Sequence, residues 1–451
     1  MGGGPVTTHL TTEVHTHGLQ FVGIDTPSKA DLQNCIHCGF CLPACPTYLA
    51  TGQELESPRG RLHLISGVLD GRIDATERVL GHLDLCLQCR ACETACPSSV
   101  PYGRIMEDAR AAIMANAPEQ QPRAWRFRAL LLREVLARPS RLRVALALGR
   151  LYTRSGLQSL MRGPLGGTLR RVLPPALARL ESSAPVLDRA PFRAGGTLAR
   201  PTAGAPATRV ALLLGCLQGE IYPQVHEATV RVLQHAGCEV VAPEGQGCCG
   251  ALHSHAGDAE TARALARRNI AAFERAGVEA VIVNAAGCGA AMKEYGRLLR
   301  HDTRWAERAE RFSDGVRDVL EFVAERDFAR GLGRVERTVT LQDACHLAHA
   351  QRIREAPRAI LRAIPGLQLV EMRTPDRCCG SAGLYSAVQP EMSATILDAK
   401  MVEITATGAA TVCTSNPGCA MQIEAGVRRT GLDADVRHVV EILDEAIRAG
   451  R

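Results

Sequence analysis

The chain has 451 residues, of which 46% are hydrophobic and 22% charged, with 18 cysteines and a formal net charge of +6. This length suffices for two or three domains with cores of their own. No stretch approaches the roughly 18 apolar residues of a spanning helix, and the polar N-terminus lacks signal-peptide features, so we expect a cytoplasmic protein. In a reducing compartment, this many cysteines is better explained by metal binding than by disulfide bonds.

The first part of the chain contains one cysteine pattern twice. Residues 1–30 are predicted to be a flexible lead-in that ends near a helix. Residues 31–115 then carry two runs of the form C-x2-C-x2-C-x3-C-P, separated by a helical stretch from Arg61 to Leu69. In ferredoxins this spacing binds two [4Fe-4S] clusters, because three cysteines of a run hold one cluster and the fourth holds the other. We therefore expect a mostly helical ferredoxin domain.

The exchange of the fourth cysteine between the two runs defines two predicted sets of ligands. The first cluster is predicted to be bound by Cys35, Cys38, Cys41 and Cys96. The second cluster is predicted to be bound by Cys86, Cys89, Cys92 and Cys45. The competing interpretations are zinc, which favours separated C-x2-C pairs or mixtures with histidine, and a disulfide framework, which suits a short secreted chain. The double occurrence of the run favours iron–sulfur clusters.

The positive charge is concentrated in the middle of the chain. Between Arg123 and Arg179, thirteen arginines accompany a single acidic residue, so this stretch carries +12 and the remainder carries −6. Three interpretations stay open: a solvated helical face, a dock for partner subunits, or a peripheral contact with an anionic membrane surface. No aromatic series or nucleic-acid motif accompanies the arginines, so we do not expect nucleic acid as a partner.

Residues 116–207 join the two halves of the chain. Their first part, 120–182, is rich in arginine and leucine and is predicted to form several short helices. A Pro-, Ala- and Gly-rich linker is predicted for 183–207. The predicted helix breaks are at Pro139, Gly156, Pro164 and Pro174–Pro175.

The C-terminal half contains a second repeat, with predicted copies at 208–335 and 336–451. Each copy alternates three short apolar strands with helices, which predicts a parallel sheet with right-handed crossovers. Each strand leads to cysteine, in the order Cys, Cys-Cys-Gly and Gly-Cys, and corresponding cysteines are 129 to 131 residues apart. The predicted strands of the first copy are Val210–Leu214, Glu239–Ala242 and Ala280–Val283. Those of the second copy are Val339–Leu341, Leu367–Val370 and Ala410–Cys413.

These strands place four cysteines per repeat beyond their carboxyl ends, where open α/β sheets hold their sites. Four thiolates match the ligand count of one further iron–sulfur cluster per repeat. A structural zinc, metal-free thiols and a strained disulfide between adjacent cysteines are the alternatives. The candidate ligands are Cys216, Cys248, Cys249 and Cys288 in the first repeat, and Cys345, Cys378, Cys379 and Cys419 in the second.

The remaining cysteines and the nearby histidines have simpler interpretations. Cys238 and Cys413 fall in predicted strands and are expected to be small buried hydrophobes. His37 lies inside the first cluster loop and is expected to tune its polarity. Four histidines near the repeat cysteines are expected to donate hydrogen bonds rather than to bind metal: His253, His255, His346 and His349.

The chain has no Walker loop, no G-x-G-x-x-G after a strand and no nucleophile elbow. We therefore predict no flavin or nucleotide site and no catalytic residue of its own. Substrate oxidation is expected to take place on another subunit, from which electrons arrive. The fold expected from these segments is α+β multidomain, with a helical ferredoxin domain followed by two parallel-sheet Cys-Cys-Gly domains.

From about residue 31 to the end, the sequence resembles the iron–sulfur subunit of glycolate oxidase (glycolate dehydrogenase). The N-terminal motifs that carry the resemblance are Cys35-Ile-His-Cys-Gly-Phe-Cys41, Ser57-Pro-Arg-Gly-Arg61, His82-Leu-Asp-Leu-Cys86 and Cys92-Glu-Thr-Ala-Cys-Pro97. The C-terminal motifs are Gly247-Cys-Cys-Gly-Ala251, Ala286-Gly-Cys-Gly289 and Cys378-Cys-Gly-Ser-Ala-Gly383. The resemblance is weakest in the arginine-rich middle.

The resemblance implies an electron relay. A separate FAD-binding subunit would oxidise glycolate to glyoxylate, and this chain would pass the electrons toward a quinone or another acceptor, with a location in the cytoplasm or peripherally on the cytoplasmic face of the inner membrane. The equivalent subunit of an anaerobic glycerol-3-phosphate or lactate dehydrogenase is the alternative. Related heterodisulfide-reductase-like repeats carry a fifth cysteine, which Ala285 and Asn416 replace here, and this departure favours the glycolate type.

Overall fold

The computed structural model describes residues 20–116, 121–163, 184–193, 195–201 and 208–451, together with positions 166, 173, 178 and 181. The predicted lead-in therefore lies largely outside the described residues. The same holds for Pro164, Pro174 and Pro175 among the predicted helix breaks.

The N-terminal region is helical, as the cysteine loops with short connecting helices predicted. The core packs around Ile65, Leu83, Ile105 and Met106, each almost completely buried. Six α-helices and one 3-10 turn (Glu54–Glu56) form the region. The helices are α1 (Lys29–Gln33), α2 (Pro46–Thr51), α3 (Pro58–Leu69), α4 (Glu77–Asp84), α5 (Ala91–Thr94) and α6 (Tyr102–Met114).

Local sequence explains where the helix between the two cysteine runs begins. Pro58 occupies the first turn of α3, where its missing N–H costs no hydrogen bond, and Ser57 accepts a hydrogen bond from the backbone N–H of Gly60. The predicted helix from Arg61 to Leu69 is therefore observed, and it begins three residues earlier because of this cap.

The arginine-rich segment consists of helices, as predicted. Pro139 opens one of them rather than ending it, because proline is tolerated in the first helical turn. A short π-helical turn over Leu132–Leu136 precedes it. The described α-helices are α7 (Arg123–Leu131), α8 (Pro139–Arg154) and α9 (Leu157–Arg162).

The first repeat folds around a five-stranded sheet in the order β1-β3-β2-β4-β5, which is parallel except for β1. The strands are β1 (Gly196–Ala199), β2 (Thr208–Leu212), β3 (Cys238–Ala242), β4 (Ala280–Val283) and β5 (Val316–Asp318). The helices are α10 (Gln218–Ile221), α11 (Pro223–His235), α12 (Ala251–His255), α13 (Ala259–Glu274), α14 (Ala286–Lys293), α15 (Tyr295–Leu298), α16 (Ala306–Asp314) and α17 (Val319–Ala324).

The second repeat has a four-stranded parallel sheet in the order β7-β6-β8-β9. A π-helical turn (His346–Ala350) follows the first of its strands along the chain. The strands are β6 (Arg337–Leu341), β7 (Leu367–Leu369), β8 (Thr411–Thr414) and β9 (Asp435–His438). The helices are α18 (Glu355–Ala363), α19 (Tyr385–Val388), α20 (Pro390–Ala406), α21 (Pro417–Thr430) and α22 (Val439–Ala449).

All six strands predicted from the repeat are present, within two residues of the expected ends. Three further strands were not predicted. β5 and β9 extend the two sheets, and both are short and carry charged residues, so they lack an apolar signal. β1 lies inside the predicted linker and pairs antiparallel with β3, so part of that linker is an edge strand.

The two sheets share one hydrophobic core, which includes Leu212 and Ile282 of the first and Leu341 and Val412 of the second. The helical N-terminal region packs against both repeats. Arg110 donates a hydrogen bond to the carbonyl of His255 at 2.7 Å, and the Tyr385 hydroxyl donates to the carbonyl of Leu85 at 3.0 Å. Among the described residues, no helix is both long and apolar enough to cross a lipid bilayer.

Candidate iron–sulfur sites

One surface cavity of the helical region collects cysteines from both runs. Its wall is formed by Cys35, Cys38 and Cys41 of the first run and by Cys92 and Cys96 of the second. All four predicted ligands of the first cluster therefore line a single cavity. Cys38 is exposed, and burial raises the pKa of the Cys41 thiol to about 11, so the protein without metal favours the neutral thiol there.

The loop of this cavity needs backbone conformations that few residues adopt. Gly39 has a φ of +86°, and a Cβ at this position would lie 2.9 Å from the guanidinium of Arg59. That guanidinium donates a hydrogen bond to the carbonyl of His37 at 2.9 Å. His37 thus lies on the cavity wall with a positive φ, and its backbone rather than its ring is held by Arg59.

The predicted ligands of the second cluster are all buried. Cys45, Cys86, Cys89 and Cys92 are each less than 9% exposed. Burial raises the pKa of the Cys92 thiol well above its usual value, and the next causes are the charges of Cys89, Cys86 and Cys45. The four predicted ligands of the second cluster are therefore near neighbours. Four neighbouring thiols match the donor type and number of one iron–sulfur cluster.

Hydrogen bonds and a buried cation surround this second set. The Tyr102 hydroxyl and the backbone N–H of Gln88 donate to Cys86 Sγ at 3.6 and 3.4 Å. Arg61 is 1% exposed and pairs with Glu56 at 2.7 Å. Burial opposes the charge of Arg61, but the charges of neighbouring groups, including Cys86, outweigh burial and raise its pKa. A buried cation beside four thiolates lowers the net negative charge of the site.

In the first repeat, the four thiols follow one another in a row. Cys216 contacts Cys248, Cys248 contacts Cys249, and Cys249 Sγ lies 3.1 Å from Cys288 Sγ. Hydrogen bonds from Cys216 and Cys249 lower the pKa of the Cys248 thiol, so one thiolate is favoured in this set. Gly250 follows in the left-handed conformation at φ +86°, which glycine adopts without strain.

The second repeat reproduces this order. Cys345 contacts Cys378, Cys378 contacts Cys379, and Cys379 contacts Cys419. Hydrogen bonding from Cys378 lowers the pKa of the Cys345 thiol. Gly380 takes the same left-handed conformation as its counterpart, at φ +88°. All eight repeat cysteines thus lie where the strand ends were predicted to bring them, and their role as ligands remains a proposal.

In each repeat, every thiol contacts the next one in the order given above. Across the part of the chain that the structure describes, no group of three or more Cys, His, Asp or Glu side chains is placed to hold a single metal ion. The donor set of each repeat, four thiols beside glycines, is chemically suited to a cluster of several iron ions.

Two of the four histidines near the repeats lie beside thiols. His253 neighbours Cys248, and His346 Nδ1 lies 3.6 Å from Cys345 Sγ. The other two serve the domain contacts instead. His255 Nδ1 lies 3.0 Å from the carboxylate of Glu107, and His349 Nδ1 lies 2.9 Å from the hydroxyl of Thr94. Contact with a thiol is therefore observed for the first pair only, and the second pair makes its hydrogen bonds to the dicluster region.

The second ligand set of the helical region abuts the second repeat. Cys89 packs in one cluster of side chains with Cys378 and Cys345. Burial raises the pKa of the Cys89 thiol, and the charge of Cys345 is the next cause. In the first repeat, Cys248 and Cys216 pack against the arginine-rich helices.

Sequence reasoning did not identify the charged residues at these contacts. Arg90 links the helical region to the first repeat, since it pairs with Glu294 at 2.6 Å and with Glu93 at 2.9 Å. Arg61 and Glu56 were also not singled out as a pair. Their spacing of five residues is unremarkable in sequence, and only the fold shows that both are buried.

The cysteine repeats also match known families. A family profile described as a 4Fe-4S dicluster domain matches residues 31–100, and one described as a cysteine-rich domain matches 210–293 and 339–424. A third, described as the linker region of the glycolate oxidase iron-sulfur subunit, matches 124–184. The N-terminal region is therefore a dicluster domain for two [4Fe-4S] clusters, and the predicted cofactor is confirmed.

Close relatives extend the match to nearly the whole chain. A Bacillus subtilis (strain 168) protein named "Probable glycolate oxidase iron-sulfur subunit" is 42% identical over 97% of this chain and 99% of its own length. The chain belongs to the glycolate oxidase iron-sulfur subunit family. The family member from Escherichia coli (strain K12) is 33% identical over 92% of this chain and 94% of its own length.

The chain also has a group of shorter relatives. A protein named "Lactate utilization protein A", from Exiguobacterium sp. (strain ATCC BAA-1283 / AT1b), is 30% identical over 53% of this chain and 98% of its own length. Membership in the glycolate oxidase iron-sulfur subunit family makes the chain an iron–sulfur subunit of an oxidoreductase complex. The predicted family and fold class are confirmed.

Proposed function

We propose that this subunit receives electrons from an FAD-binding partner subunit, which oxidises glycolate to glyoxylate, and passes them to a quinone or another acceptor. The observation that carries this proposal is the continuous series of thiol sites, from the exposed Cys38 through the buried Cys89 to Cys345 of the second repeat. When bound, iron–sulfur clusters take up and release one electron at a time, which suits them to divide the two electrons of a flavin.

The ligand assignments remain those of the sequence prediction. The cavity lined by Cys35, Cys38, Cys41 and Cys96 supports the first set, and the mutual proximity of the buried four supports the second. In each repeat, the row of four thiols supports one further site. The protein contributes burial, the Arg61 cation and hydrogen bonds to sulfur, which are the factors that set the potential of such sites.

We also propose an order for these sites. Cys89 packs against Cys345 and Cys378, so the second repeat directly follows the dicluster domain. Asn416 then connects the second repeat to the first, because it donates to Cys419 Sγ at 3.6 Å and accepts from the N–H of Gly287 at 3.2 Å. Gly287 immediately precedes Cys288, so the first repeat is the last site of the series.

The test of the relay is anaerobic isolation of the tagged subunit with its native partners, followed by optical and EPR spectra on addition of glycolate. Bleaching of the cluster absorption by glycolate is expected. Cys41→Ser should abolish glycolate-driven dye reduction by the complex while the partner keeps its flavin, whereas Cys238→Ser, in a strand of the first repeat, should leave both unchanged. Full activity of the Cys41→Ser complex would contradict the relay.

The lactate-related relatives support a second candidate, in which the partner flavoprotein oxidises lactate. The same experiment separates the two, because the hydroxy acid that bleaches the clusters and the flavoprotein that co-purifies identify the substrate. Bleaching by lactate or glycerol 3-phosphate, and not by glycolate, would retain the relay and overturn the glycolate assignment.

The arginine-rich helices present a surface that we propose contacts an anionic lipid bilayer. Val144, Leu148 and Leu151 of α8 recur at helical spacing and are 63–66% exposed, on the face opposite the buried Leu142. Arg143 flanks this stripe and has no ion-pair partner among the described residues. Exposed apolar side chains bordered by arginine are the features of a helix that lies in the membrane interface.

Sedimentation with lipid vesicles tests this surface. Binding to phosphatidylglycerol vesicles, and not to phosphatidylcholine vesicles, is expected, and Leu148→Glu should weaken it at least tenfold. Val402→Glu, at a similarly exposed apolar position of the second repeat, is the matched control. If Leu148→Glu instead leaves vesicle binding unchanged and releases the flavoprotein on co-isolation, the surface binds a protein partner and the lipid proposal is wrong.

A further inference from the structure

The most unusual side chain near the repeat thiols is His253. It lies in α12, four residues after Cys249, and its side chain is 0% exposed. Among the described residues, neither of its ring nitrogens makes a well-aligned hydrogen bond, and the polar group that the ring contacts is the Cys248 thiol. A buried imidazole without a well-aligned hydrogen bond loses interactions that it makes in water, so its burial is unfavourable. Such a group requires an explanation, and a bound metal ion is one of them.

The position of the ring indicates what that ligand is. His253 is next to Cys248, the central thiol of the row in the first repeat. The other ring of this helix, His255, points to the dicluster domain, where its Nδ1 lies 3.0 Å from the carboxylate of Glu107. Of the two histidines of α12, only His253 thus lies against the thiols of the first repeat.

Comparison of the two repeats shows that this histidine is specific to the first. At the position that corresponds to His253, the second repeat has Gly383. At the position of Asn416, whose carboxamide contacts Cys419, the first repeat has Ala285, which offers no polar side chain. The polar side chains beside the thiols therefore differ between the repeats: His253 in the first, and Asn416 and His346 in the second.

We propose that His253 is a ligand of the metal centre of the first repeat, which would then be a mixed thiolate and imidazole site. This inference rests on the proposed function, in which that repeat holds a centre. The four thiol partners would be Cys216, Cys248, Cys249 and Cys288. A neutral imidazole in place of a further thiolate reduces the negative charge at iron, and a higher reduction potential than that of an all-thiolate site follows.

Pulsed EPR with nitrogen-15 labelling of histidine tests the ligand directly. The protein is the full chain, purified anaerobically with its partners and reduced with dithionite. A strong hyperfine coupling from a bound histidine nitrogen is expected, and it should disappear in His253→Ala and remain in the control His301→Ala, which alters an exposed histidine. Absence of the coupling in the natural protein, or its persistence in His253→Ala, would overturn the proposal.

Two further variants separate a ligand from a hydrogen-bond donor. His253→Gln retains a donor but binds iron poorly, so loss of the first-repeat iron is expected, whereas unchanged iron and spectra would assign His253 to hydrogen bonding and overturn the ligand role. His253→Cys restores a ligand, so it should retain the iron, lose the nitrogen coupling and lower the reduction potential.

Iron and sulfide analysis distinguishes failure of this inference from failure of the proposed function. Cys249→Ser should lower the iron content below that of the natural protein while the dicluster spectrum stays intact. If it removes no iron, or only zinc is found there, the first repeat holds no iron–sulfur centre and both proposals for it fail. If iron is lost in Cys249→Ser and no histidine coupling exists, the histidine ligand alone is wrong.

Discussion

The backbone N–H of Gly287 donates a hydrogen bond to the side-chain oxygen of Asn416 at 3.2 Å, and this contact joins the two cysteine-rich repeats. The other end of the same carboxamide lies 3.6 Å from Cys419 Sγ. A single side chain therefore spans the space between the thiol rows of the two repeats.

Replacement of Asn416 tests this bridge. Asn416→Ala should lower the free energy of unfolding by about 1–3 kcal/mol, because the partly buried Gly287 N–H loses its acceptor. Loss of an N–H donor to sulfur should also lower the reduction potential of a centre bound by the second repeat. Calorimetry and an EPR-monitored redox titration measure the two effects. Asn34→Ala, at an exposed position, is the control, and equal effects in both variants would contradict the bridge.

The buried pair of Arg61 and Glu56 should dominate the stability of the dicluster domain. Arg61→Met leaves the Glu56 carboxylate buried without its cation, at a cost of about 3–5 kcal/mol. Arg72→Met, in the same domain, removes a guanidinium whose pair with Asp70 is exposed, so little loss of stability is expected. Thermal unfolding measures the difference, and similar melting temperatures for the two variants would show that the Arg61 pair contributes little.

The contact between the first repeat and the dicluster domain depends on a glycine. Gly257 has a φ of +80°, and a Cβ there would lie 2.6 Å from the carbonyl oxygen of Arg110. Gly257→Ala should therefore cost more than the 1–2 kcal/mol of the left-handed conformation alone. Gly277→Ala supplies that reference, since Gly277 also has a positive φ but no atom within 4 Å of a Cβ. Equal losses in thermal stability would mean that the contact can shift without cost.

We expect the last helix, Val439–Ala449, to become less stable at acidic pH because of His438. The ring accepts a hydrogen bond from the N–H of Val440 at 3.1 Å and contacts the carbonyl of Asn284 at 3.1 Å, which requires the neutral form. Burial lowers the pKa of His438 to about 3, although the Asn284 carbonyl opposes this shift. Below the unfolded value of about 6.5, the unfolded chain binds the extra proton, so stability falls as the pH decreases from about 6.5 toward 3.

At pH 5.5 this linkage amounts to about 1 kcal/mol relative to pH 7.5. Hydrogen exchange of the helix Val439–Ala449, corrected for the intrinsic rate, measures it as a fall in the opening free energy. His438→Asn keeps a capping side chain but does not titrate, so the fall should disappear in this variant. An identical pH dependence in His438→Asn would assign the effect to other groups.

The sequence predicted the parts of the fold that leave a periodic or spacing signal. The six apolar strands and the cysteines after them follow from hydrophobic runs and from the fixed offset between repeats. β5 and β9 were not predicted, because a strand at the edge of a parallel sheet can be short and charged. β1 was not predicted, because the surrounding proline and glycine residues favoured a linker. Its strand conformation depends on pairing with β3, which is a tertiary contact.

The types of residue that form the sites could be predicted from the sequence. Which of these residues contact each other in the fold was harder to predict. The crossing of Cys45 and Cys96 was predicted from a known spacing and stays a prediction, although Cys96 does line the same cavity as the first run. The contact of Cys89 with Cys345 joins residues 256 positions apart and leaves no local trace. Likewise, His253 and His255 are indistinguishable in sequence, and only the fold turns one toward the thiols and the other toward the domain contact.

The crossed arrangement of the two cysteine runs has a consequence for how the protein is loaded with iron. Because Cys96 reaches the cavity of the first run and Cys45 reaches the buried set, neither run has a complete donor set until the other has folded beside it. We expect the two clusters to be acquired as a unit during biogenesis. The exposed cavity around Cys38 is then the face at which oxygen attacks first, and the face from which a repair system would restore the cluster.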